Sequence, residues 1–148
     1  MKHQAFKVVG FKVRTTNENN QAMQDIGNVW QKVMAGGLLD KVPHRSEPNL
    51  IGLYYEYEKD HTKPYSFLLG VPVSSFADIP AGMVGVEIPE QNYTLFPVEG
   101  PMPDRLIATW QKIWQTASNR TFTFDFERYD HESFGENPKL DVWISTMK

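Results

Sequence analysis

Two periodicities alternate along this chain. Phe6, Val8, Val9, Phe11 and Val13 mark a strand over 6–14, and Gly10 within it predicts a bulge, because a missing side chain lets the backbone kink. Beyond the polar stretch 15–20, Met23, Ile26, Val29, Trp30, Val33 and Met34 share one face at helical spacing. Gly36-Gly37 stops that helix. Leu50–Glu58 and Tyr65–Val73 read as the strands of a hairpin around the turn 59–64. After a connection over 74–82, Met83–Ile88 and Tyr93–Val98 read as a strand pair or as one strand broken at Pro89. Pro101 and Pro103 precede a second helix with Leu106, Ile107, Trp110, Ile113 and Trp114 on its apolar face. Thr121–Tyr129 and Leu140–Thr146 close the chain as strands.

The order of elements repeats. Trp30-Gln31-Lys32-Val33 returns as Trp110-Gln111-Lys112-Ile113, each copy preceded by a strand-like run and followed by two more. Two copies at so long a period indicate a duplicated half rather than a solenoid. The expectation is one α+β domain over 1–148, with an internal repeat of roughly 1–75 and 82–148. Its duplicated β-α-β-β halves form one antiparallel sheet covered by two main helices, related by a pseudo-twofold, with a ligand cavity at the seam.

Bulk properties narrow the function. A length of 148 residues and an apolar fraction of 41% suffice for a core without staples, and the net charge of −3 with no basic stretch argues against nucleic acid. Cysteine is absent, which removes thiolate metal sites and cysteine nucleophiles. No apolar run reaches the roughly 18 residues of a membrane span, and the first residues lack the apolar core of a signal peptide. The cytoplasm is the expected compartment, without membrane contact. His3, His44, His61 and His131 fall in loops or tails, and His131-Glu132 lacks the second histidine of a zincin helix. No phosphate-binding glycine loop and no Gly-x-Ser-x-Gly elbow is present. Neither a metal nor a cofactor is therefore expected.

Glu127 is the residue of interest. Along Thr121–Tyr129, Phe122, Phe124 and Phe126 alternate with Thr123, Asp125, Glu127 and Tyr129, so the acidic residues share the face opposite the phenylalanines. In one account that face is wet. In the other, Glu127 lies in a pocket walled by aromatic rings, where it must raise its pKa or hold a cation. Trp30 and Trp110 are either core or symmetry-related walls of the seam. The hydroxyls of Tyr54, Tyr57, Tyr65 and Tyr93 need partners if buried.

Val9-Gly10-Phe11 with Thr15-Thr16-Asn17, Trp30, Gly52-Leu53-Tyr54 through Tyr57, Tyr65 with Leu68 and Gly70, Ile88-Pro89 to Tyr93 and Phe96, Gly100, Trp110 through Trp114, and Phe126-Glu127-Arg128-Tyr129 occur in an order that resembles the GyrI-like, or AraC-type effector-binding, domain family. The resemblance spans nearly the whole chain. It implies a small-molecule pocket between the halves with a glutamate at the Glu127 position. In many members a DNA-binding segment precedes this domain; here the chain opens on the first strand, so a stand-alone member is expected. The ligand-binding set is Glu127, Trp110, Tyr93, Tyr65, Trp30 and Tyr57, for an amphipathic, cationic drug or metabolite. The alternatives are a small-molecule hydrolase using Glu127 as acid and base and a protein-binding inhibitor of the gyrase-inhibitor type. A protein partner or a homodimer is open.

Overall fold

The computed structural model describes residues 1–116, 119–134 and 136–147. The side chains of His131 and Glu132, weighed above as metal ligands, lie outside that description.

Eight strands, β1 (Lys2–His3), β2 (Phe6–Thr15), β3 (Leu50–Tyr55), β4 (Tyr65–Val73), β5 (Val84–Ile88), β6 (Gln91–Glu99), β7 (Phe124–Tyr129) and β8 (Lys139–Ser145), form one sheet in the order β1-β6-β8-β7-β3-β4-β2-β5. All its pairings are antiparallel. From the β3·β7 junction outward, either side reads second strand, third strand, first strand of a β-α-β-β half. The junction is therefore the seam between the halves. It runs from Leu50 opposite Tyr129 to Tyr55 opposite Phe124, with Gly52 facing Glu127.

β5 and β6 do not pair with each other. They follow one path interrupted at Pro89-Glu90, the second of the two sequence alternatives: β5 pairs with β2 and β6 with β8. The two-residue β1 was not foreseen. It continues the ladder of β2 with β5 onto β6, from Gly10 opposite Val84 to Lys2 opposite Asn92.

Alternation assigns the two faces. On one, Val9, Phe67, Leu69, Val71 and Val73 pack beneath α1 (Gln21–Gly36). On the same face of the other half, Val98, Leu140, Val142 and Ile144 pack beneath α2 (Asp104–Thr116). The opposite face holds Val8, Ile51, Leu53, Leu68, Tyr93 and Phe126. Helix α1 ends at Gly36-Gly37 as its pattern predicts. Its stripe is narrower, however: Met23 and Met34 stand 63% and 54% exposed, because a helix lying on a sheet buries only the residues nearest the contact line.

Gly10 does not sit in a bulge. The ladder between β2 and β4 runs without a slip from Lys7 opposite Val73 to Thr15 opposite Tyr65. The glycine is needed for close approach instead: a Cβ there would lie 2.1 Å from the Leu69 carbonyl oxygen and 2.5 Å from the Gly70 Cα. No helix among the described residues is long and apolar enough to cross a membrane.

Candidate functional site

The two helices cover separate halves of the sheet, and over the seam they leave a cavity of about 420 Å³. Ile26 and Trp30 of α1 form one wall; Leu106, Ile107, Trp110 and Trp114 of α2 form the other. The floor is the seam itself, with Tyr54 from β3 and Glu127 and Tyr129 from β7. Tyr57 and His61 reach in from the hairpin tip, and Met23 borders the cavity from α1.

Glu127 is 1% exposed. The Trp110 indole Nε1 donates to its Oε2 at 2.7 Å, the Tyr54 hydroxyl to the same oxygen at 3.0 Å, and the Tyr129 hydroxyl to Oε1 at 2.5 Å. Across the ladder stands Gly52, where a Cβ would come within 3.0 Å of Oε1, so the missing side chain makes room for the carboxylate. Burial pushes the Glu127 pKa above the ordinary carboxylate value, and the three hydrogen bonds, from Tyr129, Trp110 and Tyr54, work against that rise. The neighbouring hydroxyls are likewise pushed away from ionisation. Desolvation, and then the Glu127 charge, raise the pKa of Tyr54 and Tyr129 well above normal. All three partners are thus neutral donors, and no ion pair among the described residues involves Glu127.

The wall residues also brace one another. Trp30 meets Tyr129 edge-on at 4.9 Å, and Tyr54 tilts against Trp110 at the same separation. Tyr65 donates to the Asn17 side-chain oxygen at 2.6 Å.

Of the six residues expected at the site, Glu127, Trp110, Tyr65, Trp30 and Tyr57 line the cavity. Tyr93 does not. It is 1% exposed on the other face of the sheet, edge-on to Phe126 and Trp143 and hydrogen bonded to Gln91 at 2.8 Å. Strand alternation is the reason: Phe96 and Val98 of β6 face the helices, which turns Tyr93 away. Asp125 shares the inward face with Glu127 but is not wetted. It is fully buried and paired with Arg120 at 2.8 Å. Phe122 precedes the strand with a left-handed φ of +54° and packs beneath the Arg120 guanidinium rather than with Phe124 and Phe126. Tyr54 stands among the tyrosines whose hydroxyls need partners but not in the expected set, and Tyr129 and Arg120 were missed as site residues. For Tyr54 and Tyr129 the signal was present, since both occupy the inward face of a seam strand.

Residues 2–145 match the family described as Cass2, integron-associated effector binding protein. The chain is 27% identical over 125 residues to a putative transcriptional regulator, YobU, of Bacillus subtilis strain 168, covering 81% of this chain and 76% of that protein. Its fold is similar to that of an integron cassette protein from the mobile metagenome of Vibrio cholerae (TM-score 0.77, 27% identity, 99% of this chain and 94% of that one). It is also similar to the structure of SAV2435 bound to tetraphenylphosphonium (TM-score 0.80, 22% identity, 99% and 92% covered).

Proposed function

We propose a ligand class for a chain that belongs to the Cass2 family of integron-associated effector binding proteins: amphipathic organic cations, held in the seam cavity with the charged centre near Glu127 and the apolar body against Trp30, Trp110, Tyr57 and Tyr65. The carrying observation is a buried carboxylate whose neighbours are all neutral donors. Such a group lacks a counter-charge, and a cation entering the cavity supplies one while the aromatic faces add about 0.5–2 kcal/mol each. An anion meets the opposite: repulsion by Glu127 and no unpaired countercharge beside it. The likeness to a protein bound to tetraphenylphosphonium supports the same reading. Three donors already hold the carboxylate, which favours retaining a charge over transferring a proton, so binding is preferred to hydrolysis.

We assign the module to the cytoplasm, and a net charge of −3 without a basic stretch supports ligand binding without direct contact to DNA. Titration with tetraphenylphosphonium, followed by the emission of the tryptophans around the cavity, tests the proposal. A saturable change that is lost in Trp110→Ala is expected. A linear, unsaturable response from folded protein refutes it.

A further inference from the structure

The hairpin end of the cavity contains buried polar atoms without hydrogen-bond partners. Asp125 is fully matched: it accepts from Arg120 Nη2 (2.8 Å), the Tyr57 hydroxyl (2.6 Å), and the Ser145 amide and hydroxyl (2.7 and 2.8 Å). Arg120 is not. Its side chain is 2% exposed and gives Nη2 to Asp125, while buried Nε and Nη1 meet no acceptor. His61 Nδ1, also buried, has no hydrogen-bond partner either. Both residues line the cavity. A guanidinium taken out of water with most of its donors unused is costly unless another group receives them.

We propose that Arg120, together with His61, forms a second polar subsite that receives a neutral hydrogen-bond acceptor, a carbonyl or ether oxygen, on the same ligand whose cationic centre meets Glu127. The inference rests on the cation-binding reading above and adds a chemical requirement to it. The acceptor is neutral because Asp125 already balances the charge of Arg120. A second anion there would face two carboxylates. Asp125, which anchors Arg120 at 2.8 Å, and Glu127 are alternate residues of β7, about 7 Å apart, so a single para-substituted ring is the scale of scaffold that addresses both groups. The Phe122 ring lies 4.2 Å from the guanidinium carbon, and the His61 ring stacks on Trp114 at 5.4 Å. Burial, and then the nearby Arg120 charge, depress the His61 pKa, so the imidazole adds no second positive charge beside Arg120 at neutral pH.

Calorimetry with two isosteric cations tests this. The probes are 4-acetylphenyl-trimethylammonium, which carries a carbonyl para to the cationic centre, and its 4-isopropenyl counterpart, which does not. The wild-type protein should bind the acetyl compound about tenfold more tightly. In Arg120→Lys, which keeps a cation for Asp125 but lacks Nε and Nη1, the ratio should fall to about one. Equal affinities in the wild type overturn the subsite while leaving the preference for cations standing, as does a tenfold ratio that survives in Arg120→Lys. Failure of both cations to bind better than a neutral tert-butyl isostere overturns the underlying reading instead. The wild-type comparison decides the matter even if Arg120→Lys does not fold.

Discussion

Replacing Glu127 by glutamine removes one charge and almost no volume. The amide oxygen can still accept from Trp110 Nε1 and Tyr54, and the amide nitrogen can donate to the Tyr129 hydroxyl, which reverses its role. The fold should therefore survive. A cationic centre about 5 Å from the carboxylate, at an effective dielectric constant of about 20, gains about 3 kcal/mol. Stripping water from the cation takes back part of this, so about 1.5–2.5 kcal/mol should remain, or roughly ten- to sixtyfold in Kd. Isothermal titration of the wild type with an aryl trimethylammonium compound and its tert-butyl isostere should show that preference. In Glu127→Gln the two should bind within about threefold of each other. An undiminished preference in Glu127→Gln, with the aromatic circular dichroism of the native protein, would refute the idea that this carboxylate selects charge.

Since the pKa of Glu127 is raised in the folded protein, the folded state holds this proton more tightly than the unfolded chain. Its effect on stability is nil below the ordinary carboxylate pKa and increasingly unfavourable as pH climbs from there through the raised value; thermal melts of Glu127→Gln across that window should be flatter than those of the wild type. Cation affinity should follow the opposite course, strengthening as Glu127 ionises, and titrations at stepped pH will reveal it. Trp110→Phe keeps a ring but loses the 2.7 Å bond to Oε2, one of the three bonds that hold the Glu127 pKa down, so the rise of cation affinity with pH should move to higher pH in the same stepped titrations. Gly10→Ala drives a Cβ to 2.1 Å from the Leu69 carbonyl, and urea unfolding should show a loss of about 3 kcal/mol or more.

Much of this architecture was legible because burial repeats with the period of each element. The helix of Met23 to Met34, the hairpin of β3 and β4, and the cavity between two tryptophan-bearing helices all follow from spacing. Pairing partners were less accessible, because no local pattern says that β5 belongs to one half and β6 to the other across Pro89-Glu90. Residue orientation failed where the strand's phase was not worked out. The inward positions Phe96 and Val98 place Tyr93 outside the cavity, and the same reasoning applied to Leu50 and Tyr54 would have brought Tyr54 in. Asp125 and Glu127 look alike in sequence; the arrival of Arg120 from its bridge to Thr146 separates a neutralised carboxylate from one that awaits a charge.

The ladder of β1 and β2 with β5 and β6 stops short of its full length. Phe11–Thr15 and Thr94–Glu99 each keep one side of the backbone without a strand partner among the described residues. Bare rims of this kind invite a neighbouring molecule to add its own strand. Lys12 and Arg14 punctuate the first and Pro97 the second, residue types that discourage such stacking by charge and by a missing amide proton. The opening that leaves the two halves incompletely zipped is therefore guarded against self-association by its own edge residues.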